Sequence, residues 1–176
     1  MPNPTFSIRP TTDDDWREVR ALRLEMLADT PIAFGETLEH ALTVGQAEWR
    51  MRGKRGTADG GTVMAAITDD GRWIGTMGAY TPVGTTVPML VGVYVTPEYR
   101  GELAGVTSAL LDRVEEWARA RADRMTLHVH EDNVRAHAYY AKKGYRDNGV
   151  TIPYALDPSR REIEMVKEFT PAAPAE

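Results

Sequence analysis

Residues 86–130 limit the fold more than any other stretch. "TVPMLVGVYV" is an apolar, β-branched run, and "RMTLHVH" is a second, shorter one. Between them, "VTSALLDRVEEWARAR" repeats apolar residues every three or four positions, at Val106, Leu110, Val114 and Trp117. The outer runs read as strands and the middle as an amphipathic helix. A strand, helix and strand in succession make a parallel unit with a right-handed crossover. The chain is therefore expected to be an α/β domain.

The flanking segments extend this unit. "TFSIRP" is a short first strand closed by Pro10. "TTDDDW" offers an N-cap and three acids to a helix start, where the macrodipole favours negative charge. Trp16, Val19, Leu22, Leu24, Met26 and Leu27 give that helix its apolar face, and Pro31 and Gly35 break it. Thr43 and Gln46 have capping-box spacing, so a second helix is expected through Trp49 and Met51, followed by a flexible basic loop, "GKRGTADGG". "TVMAAIT" and "RWIGTMGAY" flank "DDG" and should form a hairpin, with residues 86–95 as its third strand. Gly92 within that strand signals a bulge or a close backbone approach. "EDNVRAHAYYAKKGY" reads as a short helix capped by Asp132 or Asn133 and stopped by Gly144. "YRDNGVTIPYAL" and "REIEMVKEF" read as two final antiparallel strands. The expected order is strand, two helices, three strands, helix, strand, helix, two strands, in one mixed sheet. One domain is expected over residues 1–170, with a flexible C-terminal tail at 171–176.

A chain of 176 residues, 42% hydrophobic, can bury one real core. Its net charge of −5 argues against a nucleic-acid partner. It has no cysteine, so disulfides, thiolate nucleophiles and cysteine zinc sites are excluded. "MPNPTFSIRP" lacks the apolar core of a signal peptide, and no run is long enough for a bilayer. A cytoplasmic protein without a membrane partner is expected.

"YRGELAG", residues 99–105, joins the third meander strand to the long helix. The first amides of a helix lack partners and, with the helix dipole, attract anions. Arg100 adds charge, and the glycines allow a close backbone approach. A plain strand-to-helix turn is equally compatible with the spacing. No Gly-Lys-Ser/Thr follows, so this is not a Walker loop. The preceding hairpin also excludes a dinucleotide fingerprint.

"VYVTPEYRG" before a helix, followed by "LHVHEDNVRAHAYYAKKGY", resembles the GNAT superfamily of acyl-CoA-dependent N-acyltransferases, in particular a bacterial N-acetyltransferase branch. The first piece is similar to the family's pyrophosphate-binding segment. The second matches its Asn-x-x-Ala-x-x-x-Tyr-x-x-x-Gly-Phe segment at Asn133, Ala136, Tyr140, Gly144 and Tyr145, with tyrosine in place of phenylalanine. "TPIAFGETLEHALTVGQAEW" resembles the branch's helix-loop-helix. The loop departs from the pattern. Either Leu103 replaces a glycine, or Glu102 and Leu103 are inserted. The helix keeps the family's phase from Gly105, which favours insertion.

The resemblance implies a GNAT-like mixed sheet, with its parallel fourth and fifth strands splayed around acetyl-CoA as cosubstrate, and direct acetyl transfer to a primary amine. It implies cofactor contacts at Val93, Tyr94, Val95, Arg100, Gly101, Gly105, Val106, Thr107, Ser108, Asn133 and Lys143. Amine attack on a thioester expels a thiolate, and Tyr140 is the implied general acid. Glu36, His130 and Glu131 are candidate bases. Phe34, Gly35 and Glu36 would line the acceptor site, where acids would suit a cationic amine. The acceptor is left open among small amines, antibiotics, polyamines, amino acids and protein amines, whether N-termini or lysines. No metal is expected, because the pair His128 and His130 lacks an evident third ligand. A homodimer is common in the family. The alternative is a non-catalytic CoA-binding or regulatory module with a degenerate loop.

Overall fold

The structure is a computed structural model that describes residues 5–170, so the expected tail at 171–176 lies outside the described residues. The chain runs through β1 (Phe6–Pro10), α1 (Trp16–Asp29), α2 (Leu38–Thr43) and α3 (Gln46–Lys54). The meander follows as β2 (Gly61–Thr68), β3 (Trp73–Tyr80) and β4 (Met89–Val95). Then come α4 (Val106–Arg119), β5 (Arg124–His130), α5 (Val134–Lys142), β6 (Arg146–Tyr154) and β7 (Asp157–Glu168). Seven strands form one sheet in the order β1-β2-β3-β4-β5-β7-β6. Only β4 and β5 pair in parallel; the other neighbours are antiparallel. This is the expected mixed α/β sheet. Among the described residues no helix is long and apolar enough to cross a membrane.

One segment differs from expectation. Two short helices, α2 and α3, occupy residues 38–54, where one was expected from Thr43 onward. Thr37 caps α2 by accepting the His40 amide at 3.1 Å. Thr43 ends that helix and turns its hydroxyl back to the His40 carbonyl at 2.7 Å. Gly45 begins α3, so the Thr43–Gln46 box does not form. Nor is "GKRG" a loose loop: Gly53 and Gly56 are buried against the backbone of Thr11 and Thr12. Thr11 donates to the Gly53 carbonyl at 2.7 Å. Local capping signals lost to a tertiary contact that needs glycine.

The sheet has a core on each face. On one, α4 buries Val106, Leu110, Leu111, Val114 and Ala118 against Ile74, Leu90, Val95, Met125 and Leu127. On the other, α1 to α3 pack mainly on themselves through Leu22, Met26, Phe34, Ala41 and Trp49. Tyr94 of β4 joins that second core and donates to Glu25 at 3.1 Å. In a regular strand, Leu90 and Val95 would point to opposite faces. Here both enter the first core, because β4 holds one extra residue between the pairs Gly78–Val91 and Thr76–Tyr94. Gly92, at φ +61°, takes up that residue as a bulge. The bulge sends Tyr94 to the helical side. Pairing of β4 with β5 is confined to Met89–Thr126 and Leu90–Leu127, so the strands part where the bulge begins.

A buried acid ties α4 to the far end of the sheet. Glu115 is 2% exposed and accepts from Lys167 at 2.8 Å, Arg119 at 3.0 Å and the Tyr145 hydroxyl at 3.1 Å. Tyr145 thus has a polar use for the hydroxyl that distinguishes it from phenylalanine.

Two stability outcomes follow from these contacts. Gly92→Ala forces an alanine into left-handed backbone at a cost of about 1–2 kcal/mol, lowering Tm by roughly 2–8 °C. An unchanged Tm would remove the bulge from this account. Glu115→Ala leaves Lys167 half-buried without its carboxylate and costs on the order of 3 kcal/mol in denaturant titration. A loss under about 0.5 kcal/mol, the usual range of a surface change, would contradict it.

Candidate active site

The segment before α4 prepares an anion site. Gly101 and Gly105 have φ of +104° and +71°, and the Gly105 amide reaches back to the Gly101 carbonyl at 3.4 Å. Intrahelical bonding starts with the Ala109 amide on the Gly105 carbonyl at 3.0 Å. No side chain caps the helix start, and its first turn carries no acid. The amides of Val106, Thr107 and Ser108 are therefore left to point out of the helix end. Lys143 lies alongside, donating to the Ser108 hydroxyl at 2.9 Å. Leu103 is 89% exposed and the Glu102 side chain 93%, so both face solvent.

The Arg100 side chain is not a free charge at the entrance. Its guanidinium faces inward, with Nε on the Val95 carbonyl at 2.8 Å and the Asp29 carboxylate paired to the head. That bond holds the Asp29 carboxyl below the usual carboxylate range. The Arg100 charge is spent on locking the end of α1 to the end of β4, and the Val95 carbonyl is taken. Tyr94 likewise offers only its backbone, since its side chain is part of the helical core.

From the splay a cleft of about 1140 Å³ runs between the sheet and α1–α3. Gly92 and Val93 line it from β4, His128 and His130 from β5, Asn133 and Tyr140 from the α5 end. Asn133 caps α5 through Oδ1, which accepts the Ala136 amide at 3.2 Å, leaving its amide NH₂ unspent. Tyr140 is 7% exposed. Burial, and less so the neighbouring Tyr139, push its pKa up, so the phenol keeps its proton at neutral pH. Tyr139 turns the other way, packing on the first core with a buried hydroxyl that has no hydrogen-bond partner among the described residues.

Phe34, Gly35 and Glu36 line the opposite wall. Phe34 is 6% exposed, and its carbonyl accepts from Tyr154 at 2.8 Å, which pins the α1–α2 loop to the β6–β7 hairpin. Glu36 is not a free acid. Arg52 grips both its oxygens at 2.9 and 3.0 Å, and Arg23 adds a bond at 3.0 Å. Burial pushes the Glu36 carboxyl up, but these bonds outweigh it and hold the group below its ordinary value. A carboxylate so held is a poor base, and the wall it belongs to is not acidic.

The other candidate bases differ in placement. Glu131 does not line the cleft. Its carboxylate accepts the Arg161 amide at 3.0 Å and pairs with Arg160 at 3.2 Å. His130 does line it, 5% exposed and edge-on to Tyr154 at 4.7 Å. Its Nδ1 accepts the Asp132 amide at 3.1 Å, so the neutral ring carries its proton on Nε2. His128 pairs with Glu164 at 2.9 Å. Among the described residues no group of three metal-type ligands forms around the two histidines.

Sequence reasoning missed four charged residues of the cleft: Arg23, Arg52, Arg55 and Glu162. Glu162 sits opposite His130 in the β5–β7 ladder, on the same face. Its half-buried carboxylate has no hydrogen-bond or ion-pair partner among the described residues, while its charge helps burial raise the Tyr154 pKa. Strand periodicity puts Glu162 and Glu164 on one face, but only the β5–β7 register places that face in the cleft.

Known proteins agree with this architecture. Over 108 residues the chain is 35% identical to the uncharacterized protein YdhI of Bacillus subtilis (strain 168), a match covering 59% of this chain and 63% of that protein, just under two thirds of its length. The structure superposes on a GNAT-family acetyltransferase from Streptococcus pneumoniae with a TM-score of 0.76, at 19% identity, over 94% of this chain and 100% of that one. It also superposes on yncA of Salmonella typhimurium, solved with its cofactor acetyl-CoA, with a TM-score of 0.75 at 16% identity over 98% of both chains. At these identities the likeness shows a shared fold. Residues 20–145, most of the chain, match the sequence model of the acetyltransferase (GNAT) family, and the chain belongs to that family.

Proposed function

We propose that the protein transfers an acetyl group from acetyl-CoA directly to a primary amine bound in the cleft. One observation carries this reading. β4 and β5 part after Leu90, with the uncapped start of α4 following β4 and the buried phenol of Tyr140 lining the cleft beside the parted strands, which is the arrangement one extended ligand reaching both would need. The residues fit acetyl-CoA. The amides of Val106, Thr107 and Ser108, backed by Lys143, suit a pyrophosphate. The β4 edge at Val93 and the Asn133 amide suit the amide groups of the pantetheine arm.

Acetyl-CoA supplies an activated acyl group as a thioester. The chain's own residues handle the protons. Tyr140, kept protonated by burial, donates to the departing sulfur. An amine is mostly protonated at neutral pH and must lose a proton to attack. Glu162 is the acceptor of that proton, since it is the half-buried cleft carboxylate without a partner, and His130 beside it fixes the approach. The chain lacks cysteine, which removes a thiol-based acyl relay and favours direct transfer.

Acetyl-CoA at about 100 times its Kd should raise Tm by roughly 5–10 °C, whereas ATP or NAD should not. No shift with millimolar acetyl-CoA would sink the reading. Tyr140→Phe should keep that shift yet lower kcat about 100-fold in a thiol-release assay; undiminished turnover removes Tyr140 as the acid. Glu162→Gln should cut kcat/KM at neutral pH by about 100-fold and recover as pH rises and the amine loses its proton unaided. A parallel pH profile at an undiminished rate would remove Glu162.

A further inference from the structure

Three guanidinium groups converge on the helical wall of the cleft, at Arg23, Arg52 and Arg55, with one carboxylate, Glu36, lining the cleft among them and a second, Glu48, paired with Arg52. Arg52 spends its donors on Glu36 and Glu48. Arg23 gives only Nε to Glu36; its two terminal nitrogens make no hydrogen bond among the described residues. Arg55 lines the same cleft and makes no ion pair or side-chain hydrogen bond among the described residues. Burial lowers the Arg23 pKa, Glu36 raises it, Arg52 and Arg55 lower it again, and the net shift is down. Burial is the largest of these effects, so Arg23 is chiefly a desolvated cation, with two further cations beside it. Across the cleft, Glu162 is a carboxylate with no ion-pair partner among the described residues. The protein as a whole carries −5, so a positive wall inside it is a local arrangement and not the overall charge.

We propose that the acceptor is a primary amine that also bears an oxyanion, a carboxylate or a phosphate, with the oxyanion on Arg23 and Arg55 and the amine toward Glu162. The proposal rests on the acetyltransferase reading of the same cleft. A guanidinium presents paired donors that match the two oxygens of such a group, and a partly dry wall strengthens the contact. Arg52 holds Glu36 in place, and Glu36 in turn orients Arg23, so the fork is set before a ligand arrives. A simple polyamine would bring positive charge to this wall and be repelled.

The test compares matched amines at saturating acetyl-CoA by thiol release: L-alanine with ethylamine, and O-phosphoethanolamine with ethanolamine. The anionic member of at least one pair should show kcat/KM higher by about 10- to 100-fold, the worth of one charge-assisted contact. The pair that shows it tells carboxylate from phosphate. Arg55→Gln, at an exposed and unpaired position, should reduce the preference to within about threefold through KM, with Tm and the acetyl-CoA shift unchanged. Arg23→Gln should reduce the preference more strongly, with a lower Tm because Glu36 loses a buried partner, and with the acetyl-CoA shift unchanged. Equal use of anionic and neutral amines overturns this inference and leaves the acetyltransferase reading standing. So does an Arg55→Gln variant that loses acetyl-CoA affinity and keeps the preference, because the arginines would then serve the cofactor. An enzyme that binds acetyl-CoA but acetylates no amine in either arm overturns both.

Discussion

The bulge at Gly92 is the constraint on which the rest of the molecule depends. One extra residue in β4 reverses which face the following side chains occupy. Val95 stays in the core beneath α4, and Tyr94 crosses to the helical side. The parallel pairing with β5 ends at Leu90, one residue after it is established. A regular strand would continue that ladder and close the sheet. The left-handed backbone at Gly92 makes the interruption affordable, because glycine alone adopts it without a steric penalty.

The cleft is a consequence of how unevenly the two faces are packed. Helix α4 lies directly on the sheet, whereas α1–α3 form a small core of their own that includes Tyr94 of β4 and packs against Trp73 of β3. Arg100 and Asp29 lock the end of α1 to the end of β4, and Tyr154 holds the α1–α2 loop to the last hairpin. These ties fix the rim while leaving the middle open. The open middle gathers a phenol on one side, a free carboxylate on another and a guanidinium wall on the third. The same sequence positions that stabilise the fold therefore set the distances of the chemistry.

Much of this was legible in the chain. Helix α4 announced itself by spacing, the DDG hairpin by turn chemistry, and Gly92 by its presence inside a strand. Asn133, Ala136 and Tyr140 are ordered by local helix geometry, so their relation survives from sequence to structure. What could not be read depends on register or on distant contacts. Glu162 reaches the cleft only because β7 pairs with β5 in one register. Glu36 looked like a free acid because the arginines that neutralise it lie 13 residues before and 16 residues after it. Arg100 looked like an anion ligand because Asp29, 71 residues earlier, is invisible beside it. The break between α2 and α3 answers to Thr11, whose contact with Gly53 spans 42 residues.

The central claim is that a ligand enters the sheet at the bulge and lays its anionic end on the start of α4. Backbone hydrogen exchange with and without CoA tests it most directly. The account predicts slowed exchange at Val93 and at Val106, Thr107 and Ser108, with β1 and β2 unchanged. Protection elsewhere, with those four amides unaffected, would contradict it.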